Sequence, residues 1–393
     1  MPITRTSRHD VIVVGARAAG AATAMLLARA GLDVLVVDRS RGGADTLSTH
    51  ALMRGGVLQL HRWDLLDQIV DAGTPPVRRT TFTYADDIVP ITIKPAHGVD
   101  ALYAPRRTIL DPILAQAAGT AGAEVRFGTR ITGITRDDAG RVDGVEGFDE
   151  VGNPIRCTAR WVIGADGVTS AVARGVGAAV QRRGTGATAV VYGYWSDLDA
   201  DGYEWVFRPD ACAGAIPTND GETCVFAAAS PARIGRGGID VLRDVVAAAS
   251  PDLAGRLADA AAPAGVRNFG GRPGHLRQAW GPGWALVGDA GYWKDPISAH
   301  GLTDALRDAE LLALAVIDAA SGRHPERDAF TDFHRTRDRL SLPLFDIVDT
   351  IAGMRWTDAE IPALLLSLNA AMTHEVETLA GLPHHTNPLP IGG

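Results

Sequence analysis

Residues 10–14 (DVIVV) form an unbroken apolar run, and an alanine-rich stretch with helical spacing follows at 18–30 (AAGAATAMLLARA). A second apolar run, DVLVV at 33–37, comes soon after Gly31, which stands where a helix stop belongs. Apolar runs without alternation suit strands buried on both faces, so these pieces predict a β-α-β unit with parallel strands. Helical spacing returns at 54–70 and 106–122, with strand-rich stretches at 124–137 and 161–167. WALVGDAGYW (284–293) resumes the apolar strand character and precedes a long helix over 302–320. A polar, arginine-rich helical region closes the chain, and HHTNPLPIGG reads as a loose tail.

Residues 187–230 differ in character. VVYGYW, YEWVF, AGAIP and TCVFAAA read as strands between polar turns, and TNDGET (218–223) has the residues of a tight hairpin. Six aromatics crowd the first half: Tyr192, Tyr194, Trp195, Tyr203, Trp205 and Phe207. A helical stretch covers 239–262, and the proline-containing segment 76–105 reads as a small sheet. The fold class expected is α/β. A Rossmann-like dinucleotide-binding domain takes 1–75, 106–180 and 275–330; a β-rich domain takes 76–105 and 181–274; helices fill 331–393.

The 393 residues, 46% of them hydrophobic, are enough for two cores. A net charge of −8 argues against nucleic acid and anionic membrane surfaces as partners. Cys157, Cys212 and Cys224 are odd in number and widely spaced, which excludes a disulfide framework. The N-terminus lacks a signal-peptide core, and no apolar run approaches the ~18 residues of a membrane span, so a cytoplasmic location is expected. Apart from His384-His385 in the tail, nothing has metal-ligand spacing, and no metal is expected. Ser170 lies outside any Gly-x-Ser-x-Gly elbow.

Gly15-Ala16-Arg17-Ala18-Ala19-Gly20 keeps the outer glycines of a dinucleotide loop but has arginine in the middle. Gly15 permits the turn off the strand, and Gly20 lets the helix pack close to the sheet. The helix N-terminus offers N–H groups to phosphate, and Arg17 either points away or lies along the phosphates. Asp38, ending the second strand, stands where a carboxylate accepts hydrogen bonds from a ribose diol.

Two further motifs share the chain with this loop. RWVIGADGVTSAVAR (160–174) carries Asp166-Gly167 after an apolar strand, with Ser170 and Arg174 beyond. GWALVGDAGYWKDPISAHGLTDAL (283–306) carries Gly288-Asp289, Pro296 and Gly301-Leu302. In this order the three resemble the FAD-dependent aromatic hydroxylase superfamily, the para-hydroxybenzoate hydroxylase-like flavoprotein monooxygenases. The resemblance implies FAD as cofactor, held by Gly15, Arg17, Ala18, Ala19, Gly20, Asp38, Arg39, Arg107, Ile131, Asp166, Gly167, Gly288, Asp289, Pro296, Gly301 and Leu302. Asp289 would accept hydrogen bonds from ribityl hydroxyls. The helix opening at Gly301 would aim N–H groups at the flavin's N1–C2 edge. Arg107, in an Arg-x-x-Leu pattern, either reaches the FAD or is a solvated arginine at a helix start. No second strand–glycine loop–helix unit exists, so NADPH or NADH would bind transiently on the surface.

By the same resemblance, the activity expected is oxygenation of an aromatic or polyketide-like small molecule by NAD(P)H and O₂ through a flavin C4a-hydroperoxide. Tyr194, Trp205 and Phe207 are candidates for the substrate pocket wall. His50 and Arg54, in DTLSTHALMRGG (45–56), stand near the active-site edge, and His50, Pro296 and His300 are the candidate catalytic residues. The chain departs from the family pattern at Tyr292, Lys294, Asp295 and His300. These tune the flavin or touch substrate, or else they are an exposed Lys-Asp pair and a capping histidine. Three rival readings remain: a reductase of the geranylgeranyl type, which YEWVFRP (203–209) approaches; a flavin halogenase, whose Trp motif is missing; and a flavin-binding sensor or carrier. The oligomeric state is left open.

Overall fold

The computed structural model describes residues 5–383. Its largest sheet joins β1 (Arg5–Val14), β2 (Val34–Val37), β5 (Glu124–Arg126), β6 (Arg130–Arg136), β7 (Val142–Phe148), β8 (Pro154–Gly164), β16 (Trp280–Gly281) and β17 (Trp284–Leu286). A second, seven-stranded sheet joins β3 (Arg79–Tyr84), β4 (Asp87–Thr92), β10 (Ala189–Trp195), β11 (Tyr203–Arg208), β12 (Ala211–Pro217), β13 (Thr223–Ala229) and β14 (Val266–Phe269). A small third sheet holds β9 (Val180–Arg183), β15 (His275–Arg277) and β18 (Tyr292–Trp293). The α/β class is as expected.

In the large sheet β5, β2, β1, β8 and β17 run parallel, so their C-terminal ends share one edge. Both faces of this parallel core are covered, which is why β1 and β2 read as unbroken apolar runs. Val11 and Val13 pack with α1 (Ala18–Arg29), while Ile12 and Val14 face the side of β7 and β8. The glycines of the first loop set the spacing. Gly15 has φ +110°, and a Cβ there would stand 2.3 Å from the Ala165 carbonyl oxygen. A Cβ on Gly20 would stand 1.9 Å from the Gly15 carbonyl oxygen.

Two expected helices are each broken in two. The 54–70 stretch divides into α2 (Arg54–Arg62) and α3 (Leu66–Asp71), because Asp64 takes φ +60° between buried Trp63 and Leu65. Helix α4 (Arg107–Thr120) and the short α5 (Ala171–Val176) follow. After α6 (Pro231–Ile234), the 239–262 stretch becomes α7 (Ile239–Ala249) and α8 (Pro251–Asp259). Ser250 caps the second of these and Pro251 occupies its first turn.

The second sheet buries both faces. Val191, Trp195, Val206 and Ala213 meet α7 and α8 on one side. Tyr192, Trp205, Phe207 and Phe226 meet Ile297 and the C-terminal helices on the other. These helices are α10 (Glu326–Ala352) and α11 (Ile361–Ala380), while α9 (Gly301–Ala320) packs with α1 in the core of the first domain. The TNDGET segment does join two antiparallel strands, but as a five-residue link between Pro217 and Thr223 rather than a two-residue turn. Its Asn219 is buried: it accepts from the Arg106 N–H at 2.9 Å and donates to Ala72 O and Thr74 Oγ1, both at 3.0 Å. No helix among the described residues is long and apolar enough to cross a membrane. The HHTNPLPIGG tail lies outside the described residues.

Gly20→Ala forces α1 away from the loop, since the added carbon meets backbone rather than a movable side chain. Urea unfolding should show a loss of about 2–3 kcal/mol. An unchanged midpoint would contradict this packing.

Candidate functional site

Parallel strands deliver their following loops to one edge of the sheet, where open α/β folds bind ligands. Here that edge collects the glycine loop after β1, Asp38 after β2, Asp166-Gly167 after β8 and Gly288-Asp289 after β17. A Cβ on Gly288, at φ +55°, would lie 2.9 Å from Ala19 Cβ, so the last of these loops closes onto the first helix.

A cleft beside the glycine loop is lined by Ala16, Arg17, Asp38, Ser40, Asp111 and Phe127. Asp38 is buried; it accepts from the Ala16 N–H at 2.7 Å and from Ser40 N and Oγ at 2.7 and 2.6 Å. Arg17 reaches Asp111 Oδ2 at 3.3 Å, and Arg107 Nε donates to Asp111 Oδ1 at 2.9 Å. Two arginines on one buried carboxylate leave net positive charge beside the N-terminus of α1, where the dinucleotide's phosphates need it. Arg39 is exposed, and Ile131 is half-buried against the cluster that holds Ile12 and Val14. Asp166 caps α5: its carboxylate accepts from Ser170 Oγ at 2.5 Å, Ala171 N at 2.6 Å and Val172 N at 3.2 Å. Gly167 beside it has φ +79°.

Asp289 accepts no hydrogen bond from the described residues. Burial pushes its carboxyl up to about 6, against the pull of Arg107 and Lys294. An unpartnered carboxylate of this kind suits a ligand that brings hydroxyl donors. A Cβ on Gly301, by contrast with Gly15 and Gly20, would meet nothing within 4 Å, so the space before α9 is open. Leu302 follows, half-buried. Pro296 starts a short turn (Pro296–Ser298) that Asp295 caps by accepting from the Ile297 N–H. Tight glycines at one end, an unmatched carboxylate and an open helix N-terminus at the other form a set that fits FAD.

The Lys-Asp pair is neither exposed nor a pair. Asp295 is buried and accepts from Thr188 N and Oγ1, both at 2.6 Å; burial raises its carboxyl to about 6. Lys294 is buried against Asp304, and burial, reinforced by Arg307, pushes its ammonium down to about 7. His300 makes no side-chain cap for α9. It turns inward, with Nε2 3.1 Å from Glu375 Oε2 on α11. Arg307, fully buried, binds Asp304 at 2.8 Å, Asp308 at 2.7 Å, Glu375 at 3.4 Å and Ser341 Oγ at 2.9 Å. His300, Asp304 and Glu375 lie close enough to suggest a cation, but Lys294 and Arg307 already supply that charge.

The other wall belongs to the second sheet. His50 is buried with φ +70°, its Nε2 2.5 Å from the Tyr194 hydroxyl and its Nδ1 without a partner. Burial, and then Arg106, Arg107 and Arg267, hold His50 well below its ordinary value, so it is neutral. Burial likewise raises Tyr194, which stays a phenol. Arg106 lies over the Tyr194 ring at 3.7 Å and pairs with Glu222 at 2.5 Å. The loop carrying His50 touches α9 through Met53 N, which donates to Thr303 Oγ1 at 3.3 Å. Arg107 acts electrostatically on both His50 and Asp289, linking the two walls. Arg54 points elsewhere, donating to the Val99 and Lys94 carbonyls. Trp205 and Phe207 are core rather than open wall: Trp205 Nε1 donates to Thr80 Oγ1, and Phe207 packs edge-on against Trp356.

Asp111, Arg106 and Glu375 carry no motif of their own. Only the fold brings them here, Glu375 from 75 positions beyond His300.

Comparison with known proteins agrees with this geometry. The family described as "FAD binding domain" matches residues 8–339. The digeranylgeranylglycerophospholipid reductase of Methanosarcina mazei is 29% identical over 332 residues, which is 80% of this chain and 76% of that protein. Among solved structures, the flavin-dependent brominase Bmp2 superposes with a TM-score of 0.81 over 96% of this chain and 94% of its own, at 15% identity. PqsL of P. aeruginosa, in complex with 2-aminobenzoylacetate, gives a TM-score of 0.75 over 93% of this chain and 100% of its own, at 20% identity. At such identities the structural likeness is one of fold.

Asp289 generates a stability prediction. Its folded value near 6 exceeds the ordinary 3.8, so native protein binds the proton more tightly and loses stability as pH rises through that window. Asp289→Asn should therefore stabilise the flavin-free protein by about 1–3 kcal/mol near pH 8, and by little near pH 4, while weakening FAD binding. Thermal melts at the two pH values check it; equal differences at both would refute it.

Proposed function

The chain belongs to the FAD-binding-domain family, and from that premise we propose that it is a monooxygenase using NAD(P)H and O₂ to hydroxylate an aromatic or polyketide-like small molecule. FAD, when bound, supplies the redox chemistry; the protein holds it, orients it and keeps water away. Residues 15–20 with Arg17 and Arg107 would hold the pyrophosphate, Asp38 the ribose, and Asp289 the ribityl chain. The N–H groups at Gly301 and Leu302 would face the ring's N1–C2 edge, with Pro296 beside it. The nicotinamide donor would visit from the surface.

The observation that carries this reading is the neutral His50 hydrogen-bonded to Tyr194 beside the aromatic sheet face. An imidazole with one nitrogen unmatched favours a ligand that brings a hydroxyl or carbonyl, because a buried polar atom facing hydrocarbon costs about 1–3 kcal/mol. Neutral histidine is also poised to take a proton from a phenol whose ring is being oxygenated. The relative from M. mazei supports a second reading, reduction of a prenyl double bond at the same site.

Incubating FAD-loaded protein with NADPH and either a panel of phenols and hydroxyanthraquinones under isotopically labelled O₂ or a polyunsaturated prenyl lipid without O₂ separates the two. Label in the product supports oxygenation. A prenyl lipid gaining two hydrogens without O₂ would overturn it in favour of the reductase. His50→Gln should keep FAD yet lower kcat/KM by about 100-fold; unchanged kcat/KM would remove His50 from the chemistry.

A further inference from the structure

The last long helix lies outside the matched stretch 8–339, yet it reaches the flavin end of the site. Glu375 on α11 is fully buried. One of its oxygens meets His300 Nε2 at 3.1 Å and Arg307 Nη1 at 3.4 Å. The other has no hydrogen-bond partner and faces Gly55 at the start of α2. His300 immediately precedes Gly301, where α9 opens onto free space.

The charges in this buried cluster do not cancel. Lys294 and Arg307 stand against Asp304, Asp308 and Glu375. Arg337, which also borders Tyr292, is engaged with Asp338. Burial outweighs Glu375 and keeps His300 below its ordinary value, so the imidazole is neutral. An ionised Glu375 then fixes its tautomer, with the proton on Nε2 and Nδ1 bare. With Asp289 also within electrostatic reach of Lys294, the carboxylates outnumber the cations behind a helix N-terminus whose partial charge is positive.

We propose that Glu375 is a positioning residue for the flavin: from α11 it orients His300 and sets the charge behind the N-terminus of α9, restraining the build-up of negative charge on the ring. The proposal rests on FAD binding alone and not on the identity of the substrate.

Sulfite is the probe, because it adds reversibly to oxidised flavin and leaves negative charge on the ring. Glu375→Gln in the FAD-loaded protein should tighten sulfite binding roughly tenfold, the scale of one buried charge removed from the surroundings of a ring that becomes anionic. Lys294→Met, which removes a cation from the same cluster, should weaken sulfite binding by a similar factor. Glu375→Asp, which retains the charge, should restore the wild-type value. Glu375→Gln with FAD bound and sulfite affinity unchanged would overturn the proposal. So would Lys294→Met moving the affinity in the same direction as Glu375→Gln. If Glu375→Gln does not hold FAD, wild-type sulfite affinity in Glu375→Asp together with weakened affinity in Lys294→Met supports the proposal, and any other result from that pair ends it. Wild-type protein lacking FAD would instead count against the cofactor site itself.

Discussion

Backbone contact between the glycine loop and the end of β8 is the constraint around which the site is built. Gly15 and Ala165 approach so closely that no side chain fits between them, and Gly20 presses α1 onto the same loop. Gly288 then brings the segment after β17 onto Ala19. Three parts of the chain, far apart in sequence, are thereby held at one edge of the parallel sheet. The positions of Asp38, Asp166 and Asp289 follow from that approach rather than from contacts among the carboxylates themselves.

Electrostatics divides along the groove. At the dinucleotide end, Arg17 and Arg107 share Asp111 and present positive charge at the surface of the cleft. Behind the flavin end, the charges are buried and the carboxylates are in excess, which is tolerable only because Arg307 has three of them within reach. Between the two, Asp289 carries a desolvation cost with no protein partner. A carboxylate in that state lowers the stability of the empty fold and gains most from a ligand with hydroxyl groups. The same reasoning covers His50, strained at φ +70° and half satisfied by Tyr194.

The strands and helices that carry the loops were legible because their signals are local. Unbroken apolar runs gave β1, β2 and the end of β8, and glycines at fixed offsets marked the turns between them. Breaks such as Asp64 were invisible, since an aspartate in a helical pattern announces nothing until its φ is known. Lys294 and Asp295 were left open between two readings for a different reason. Adjacent opposite charges look like a solvated pair, but the turn sends each inward to a separate partner, Asp304 and Thr188. Trp205 and Phe207 were recognisable as members of an aromatic strand, yet no periodicity tells an open wall from one covered by Trp356. Glu375 left no trace in the sequence, because its meaning depends on how α11 returns across α9.

The order of the strands has a consequence for synthesis. β1 is made before the second sheet, but β17, which continues the same sheet as β1 beyond β8, is made after all of it. Arg62 in α2 likewise donates to the carbonyls of Leu382 and Pro383, more than 300 positions further on. Such long-range closure is slow and leaves apolar strands uncovered in the meantime. The sheet edge that carries the four loops is therefore closed only once β17 has been made, and until then the half-built sheet is the species most exposed to aggregation and proteolysis.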